Sequence, residues 1–279
     1  MATARIGISG WNYAPWRGVF FPEGLVQSRE LEFASRQVDS IEINGSFYAL
    51  QKPASYARWY RQAPNSFVYS VKAPRYISHI RRLNEVSGPV SNFFASGVLG
   101  LREKLGPILW QFPPSMKFDY ERFSRFIDML PHDTIAAARS ARKHDAWMAE
   151  RALTFTDERR PVLHCIEVRN ETFRSEKFFE LLKDHGIANV ISHSTDAWPQ
   201  FDEVTSDFVY ARLHGEGEIY SGSYGRRIVY WQKRVETWLQ AKRDVYLYFD
   251  NDQKVRAPFD AMKLMARVHG AQTAFQKTA

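Results

Sequence analysis

Short apolar runs recur eight times along the chain, at residues 6–10, 38–44, 67–73, 107–112, 163–169, 188–193, 208–214 and 245–251. Each has the length of a strand, and most close on charged or amide side chains. Between the runs, apolar residues repeat at helical spacing. Ser28 stands where a helix cap belongs, ahead of Leu31, Phe33 and Ala34. Tyr56, Trp59 and Tyr60 predict a helix over 55–63, stopped by Pro64. Phe93, Phe94, Val98, Leu101 and Leu105 predict one over 92–105, and Phe123, Phe126, Ile127 and Leu130 one over 119–130. Further helices are expected over 175–185, capped by Gly186, then over 230–241 and 258–268.

Regular alternation of strand and helix predicts a parallel α/β sheet. Eight such units favour closure into a single (β/α)8 barrel of the TIM type, and the 279 residues suit it, since about 250 are typical. No glycine-rich dinucleotide turn follows the first strand, which removes the main support for a Rossmann domain. One stretch breaks the rhythm. Residues 132–160, rich in Ala and Arg, form an insertion before the fifth strand, with Thr134 placed to cap a helix through Ala149. It reads either as a lid or oligomer contact or as a surface elaboration without further role.

Composition narrows the class. Apolar residues make up 44% and charged residues 25%, as in ordinary globular domains. The net charge of +7 attracts anionic ligands, but the basic residues are scattered and form no long block. Cys165 is the sole cysteine, which excludes an intrachain disulfide and any cysteine-built zinc or iron–sulfur centre. Its apolar neighbours predict an inert buried thiol. No apolar leader precedes Ile6, and no run reaches the ~18 apolar residues of a membrane span, so the expected compartment is the cytoplasm.

Several ordered motifs carry a family resemblance. They begin with Gly7-Ile-Ser-Gly-Trp11 with Tyr13 and Trp16, then Ile41-Glu-Ile-Asn44 with Ser46-Phe-Tyr48, and Val71-Lys-Ala-Pro74 with His79. They continue through Lys104-Leu-Gly-Pro107, Gln111-Phe-Pro-Pro114 and Glu167-Val-Arg169 to Arg212-Leu-His-Gly215 with Tyr220 and Tyr224, and end on Tyr248-Phe-Asp-Asn-Asp252. From about residue 6 to about residue 268, the chain resembles the YecE-like family, also called domain of unknown function 72. The resemblance implies a TIM-type barrel and no particular activity. It also implies two departures. Members often carry Asp where His193 ends the sixth strand here, and shorter members lack the 132–160 stretch.

The candidate site is the polar set at the strand ends, because barrel active sites sit on the carboxyl-terminal face. Glu42 and Glu167 are candidate bases, or partners of nearby cations. Lys72 reads as an anion clamp, or as a Schiff-base lysine if burial lowers its pKa. Arg169 and Arg212 suit bidentate binding of phosphate or carboxylate, or else neutralise Glu42, Glu167 and Asp250. His214 is the candidate acid, with His193 and His79 as further titratable groups. Asn44, Gln111, Asn251 and Trp11 complete the strand-end set, and Tyr220 and Tyr224 sit in a glycine-rich loop that could gate the mouth. A divalent metal on Glu42, Glu167, His193 and His214 is the lesser reading, since no local metal motif supports it.

These residues predict an enzyme acting on a small anionic substrate, a phosphate ester or carboxylate. Two alternatives stand beside it. Arg75, Arg81 and Arg82 around Tyr76 suggest nucleic-acid binding or phosphodiester cleavage. A non-catalytic metabolite sensor would present the same pocket without turnover. Oligomeric state is not legible.

Overall fold

The computed structural model describes residues 2–276, with residues 271–276 described by backbone alone. The strands are β1 (Ala4–Ser9), β2 (Ser40–Ile43), β3 (Val68–Lys72), β4 (Leu105–Gln111), β5 (His164–Glu167), β6 (Ala188–His193), β7 (Phe208–Leu213) and β8 (Asp244–Phe249). They close in sequence order into one barrel. Every pairing is parallel, and closure is made where β1 meets β8, with Gly7 opposite Tyr248. This is the (β/α)8 fold expected from the alternation.

Both faces of each strand are covered, which is why the runs read as nearly continuous apolar stretches. One face packs outward on the helices: Ile6, Ile41, Val71, Ile166, Ile191, Leu213 and Phe249 belong to the larger core. The alternate face fills the barrel with Val68, Leu109, Cys165, Val190, Tyr210 and Tyr248. Cys165 is fully buried there, and burial pushes its thiol pKa well up.

Around the barrel lie α1 (Glu30–Ala34), α2 (Gly45–Tyr48), α3 (Pro53–Gln62), α4 (Ser87–Ala95), α5 (Tyr120–Asp128), α6 (Thr134–Ala141), α7 (Glu176–Asp184), α8 (Ile228–Gln240) and α9 (Arg256–Gln276). Three expectations need correction. Ser28 lies inside the short 3-10 turn Gln27–Arg29 and makes no cap bond. The helix expected over 92–105 is two elements: α4 ends at Ala95, Gly97 turns the chain at φ 109°, and a 3-10 segment, Val98–Lys104, follows. A Cβ at Gly97 would lie 2.5 Å from the Pro53 Cα, so only glycine permits this reversal. Burial on both sides kept the apolar spacing running through the break.

In the insertion, the cap of α6 is Asp133, which accepts from the Ala136 N–H at 2.7 Å. Thr134 instead donates its hydroxyl to the Glu158 carbonyl at 2.6 Å, tying the start of the insertion to its end. The helix stops at Ala141 rather than Ala149, because Asn92 captures the Asp145 N–H at 2.9 Å and bends the chain into the 3-10 turn Ala146–Arg151. The insertion therefore packs against α4 on the barrel flank. Among the described residues no helix is long and apolar enough to cross a membrane.

Candidate active site

Strand parity decides which polar side chains meet. Alternate residues share a face, so Ser40, Glu42 and Asn44 extend inward together, as do Ser70 and Lys72, Tyr210, Arg212 and His214, and Tyr248 and Asp250. The inward direction is fixed by contacts across the barrel. Tyr248 Oη meets Ser40 Oγ at 2.7 Å, and Tyr210 Oη meets Ser70 Oγ at 2.7 Å while donating to Glu42 Oε2 at 2.6 Å.

Above the two tyrosines lies a buried ionic lattice centred on Arg212. Its Nε and Nη2 donate to the two oxygens of Glu42 at 3.1 and 2.9 Å. Nη1 donates to Glu167 Oε2 at 2.8 Å, and Nη2 also reaches Asp250 Oδ2 at 2.9 Å. Glu42 further accepts from Ser9 Oγ at 3.2 Å. Glu167 Oε1 accepts from Gln111 Nε2 at 3.0 Å and from Arg169 Nε at 2.7 Å. Arg169 lies over the Trp198 ring, its guanidinium carbon 3.7 Å from the centroid. Glu42, Glu167 and Arg212 are all buried.

The lattice sets the charge state of its members. Although burial opposes it, Arg169 and Arg212 hold the Glu167 carboxyl well below the usual range. Burial, reinforced by Arg212, drives the His214 pKa well below its ordinary value. His214 Nε2 faces Arg212 Nη1 at 2.9 Å and so accepts, while Nδ1 faces the His193 carbonyl at 3.1 Å and so donates. It is a neutral imidazole in one tautomer.

Outside the lattice opens a cavity of about 830 Å³. Apart from Arg212, which is bound to Asp250, its charges segregate. Lys72, Arg75 and Arg169, with the His79 imidazole, line the side built from β3 and β5. Asp250 and Asp252, with Tyr13, line the side built from β8 and β1. Lys72 is only 9% exposed and its ammonium has no hydrogen bond or ion pair among the described residues; its Nζ lies 4.2 Å from the Phe47 ring centroid. Burial, then Arg212, lowers its pKa to about 8. Burial raises Asp250 to about 6, against the pull of Arg212. Burial, then Lys72, lowers His79 to about 4. Burial also raises Asp252 and Tyr13.

Of the residues singled out in the sequence, Lys72, Arg169, Arg212, Asn44, Gln111, His79 and Tyr220 reach this cavity. Glu42, Glu167 and His214 lie in the buried layer beneath or beside it. Four others do not come to the mouth. Trp11 packs edge-on against Trp59, with ring centroids 5.5 Å apart. Asn251 has the opposite parity to Asp250 and donates to the Gly222 carbonyl and Asp260. Tyr224 is buried, with its hydroxyl between His193 Nδ1 at 2.8 Å and the Gly215 N–H at 3.1 Å. His193 itself faces the helices, against Trp231. The side chain at this position therefore does not line the mouth.

Asp250, which closes the eighth apolar run and is a counter-charge to the arginines, joins the mouth, as do Asp252, Tyr13 and Arg75. Parity would have found Asp250, two residues beyond the inward Tyr248. The arginine-rich stretch after β3 is largely consumed locally. Arg81 pairs with Glu85 at 2.6 Å, and Arg82 donates to the Ser115 carbonyl at 2.6 Å. No three His, Cys, Asp or Glu side chains among the described residues gather as a metal site.

Fold and site together define a TIM-type barrel with a charged carboxyl-terminal mouth. A family model described as "Protein of unknown function DUF72" matches residues 5–279, and the chain belongs to that family. The UPF0759 protein YunF of Bacillus subtilis is 24% identical over 257 residues, 90% of this chain and 79% of its own. The UPF0759 protein YecE of Escherichia coli K12 is 28% identical over 127 residues, 45% of this chain and 44% of its own. A DUF72 family structure from Thermotoga maritima superposes with a TM-score of 0.76 at 22% identity, covering 96% of this chain and 99% of that one. One from Enterococcus faecalis gives 0.70 at 16% identity, covering 96% of each.

Proposed function

We propose that this protein is an enzyme that binds a small anionic substrate, a phosphate ester or a carboxylate, in the barrel mouth and moves a proton on it. The observation that carries this reading is Lys72. An ammonium kept nearly out of water with no carboxylate partner is costly, and it borders an open cavity. An anion in that cavity supplies the missing partner. Arg75 and Arg169 stand on the same side to share its charge.

Acid–base work falls to Asp250 rather than to the residues favoured from sequence. Glu42 has both oxygens engaged by Arg212. Glu167 is too weak a base, and His214, neutral near pH 7, has no acidic imidazolium proton to give. Their role is to fix Arg212 and Arg169. Asp250, at about 6, is poised for proton transfer near neutrality. Between about 6 and about 8, Asp250 is ionised while Lys72 remains a cation. Burial draws the two values toward neutrality from opposite sides, which suits one group to act as base and the other as cation or acid near pH 7.

A thermal-shift screen of inorganic phosphate, small phosphate esters and small carboxylates tests the reading. At least one anion class should raise the melting temperature of the wild type and leave Lys72→Met unmoved. No shift with any anion, or equal shifts in both proteins, contradicts it.

A further inference from the structure

Beside the mouth, behind the Phe47 ring, lies a second groove of about 520 Å³. The two cavities share Phe47 and Tyr48 as a common wall. The segment after β3 divides its residues between them: Arg75 and His79 line the mouth, and Pro74, Tyr76 and Ile77 line the groove. Three exposed aromatic side chains converge there, Tyr48 at 72%, Tyr76 at 48% and Trp147 at 58%.

Trp147 comes from the insertion and is held in place. Its Nε1 donates to Asp145 Oδ2 at 3.3 Å, and Asp145 is clamped by Asn92 through bonds of 2.7 and 2.9 Å. The Arg151 guanidinium carbon lies 4.8 Å from the Trp147 ring centroid. Arg81 and Asn92 of the groove are engaged within the protein. Arg81 is paired with Glu85 at 2.6 Å, and the Asn92 amide is used at both ends by Asp145. What the groove offers in quantity is flat aromatic surface, from Tyr48, Tyr76 and Trp147.

We infer that this groove is the subsite for an aryl group carried by the substrate, so that the ligand is an aryl-bearing anion with its charge at Lys72 and its ring among Tyr48, Tyr76 and Trp147. The inference rests on the anion reading of the mouth. It gives the 132–160 insertion a role in specificity rather than as a lid or a passive elaboration.

Calorimetric titration with two matched pairs tests it: methyl and naphthyl phosphate, and acetate and naphthoate, with naphthol as an uncharged control. In the pair that binds, the naphthyl ligand should bind about tenfold tighter, the gain expected when one aromatic face leaves water. Trp147→Ala and Tyr76→Ala should each remove most of that gain while leaving the small anion unaffected. Lys72→Met should weaken both members. If the small anion binds through Lys72 but the ring adds nothing, or its gain survives both substitutions, the aryl subsite is wrong and the mouth reading stands. If no anion depends on Lys72, the mouth reading fails and the inference with it. Naphthol binding as tightly as the anionic naphthyl ligands would overturn the linked occupant.

Discussion

Arg212 Nε and Nη2 grip both oxygens of Glu42, at 3.1 and 2.9 Å, on opposite walls of the barrel. The same guanidinium holds Glu167 and Asp250, so one side chain bridges carboxylates from β2, β5 and the end of β8. Removing one member of a buried ionic group leaves the others uncompensated, which costs about 3–5 kcal/mol. Arg212→Met is therefore expected to lower stability by that order in chemical denaturation. Glu42→Gln should also destabilise, because it turns one acceptor into a donor facing a guanidinium. Wild-type stability in either variant would show the lattice to be decorative.

Lys72 predicts the opposite sign. Its pKa falls from 10.5 to about 8 on folding, a penalty of roughly 3 kcal/mol for holding the charged form at neutral pH. The unfolded chain binds the extra proton between those values, so this contribution makes the native state more stable as pH rises through the window. Lys72→Met should be more stable than wild type at pH 7, and the advantage should shrink between pH 8 and 10.5. The comparison is made by denaturant titration at each pH. The variant should meanwhile lose anion binding, a trade of function for stability.

Activity on a substrate should follow a bell in pH. The rising limb belongs to Asp250 ionising near 6, and the falling limb to Lys72 losing its proton near 8. Asp250→Asn should abolish the proton-transfer step while retaining anion binding. The raised Asp250 pKa also works against stability, since its contribution is complete below 3.8 and is lost as pH climbs through about 6. A rate that instead increases above pH 8 would mark Lys72 as a neutral nucleophile, detectable by borohydride trapping with a carbonyl ligand.

Tyr224 governs the loop that presents Tyr220. Its hydroxyl joins His193 on β6 to the Gly215 N–H at the loop start. Gly215 itself adopts φ 119°, and a Cβ there would fall 2.3 Å from the Glu218 carbonyl oxygen. Tyr224→Phe leaves two buried polar groups without this partner, at about 1–3 kcal/mol. Hydrogen exchange should show faster opening of residues 215–225, with the barrel strands protected as before.

The barrel was legible because strand and helix alternate and each strand is apolar on both faces. The residues 188–193 coincide with β6, since a turn sits at each end of that run. Where both faces of a segment are buried, spacing cannot register a break, and so the reversal at Gly97 escaped it. The site was legible as a place more than as a set of roles. Glu42, Glu167 and Arg212 do converge, but whether a buried carboxylate is free or saturated depends on partners from distant strands, which one sequence does not pair. Asn251 and His193 were named where parity sends them to the helix side, and Asp250, which parity sends inward, was read as a counter-charge without an acid–base role. The aromatic groove needed the insertion to fold back beside α2, a placement no local pattern carries.

The most direct test of the account is the titration of Lys72 itself, followed by NMR in protein labelled at the lysine ε-carbons, with Lys72→Met to assign the signal. The account predicts a midpoint near 8 in the free protein that moves upward when an anionic ligand saturates the mouth. A midpoint at the ordinary lysine value, indifferent to every anion tried, would contradict it.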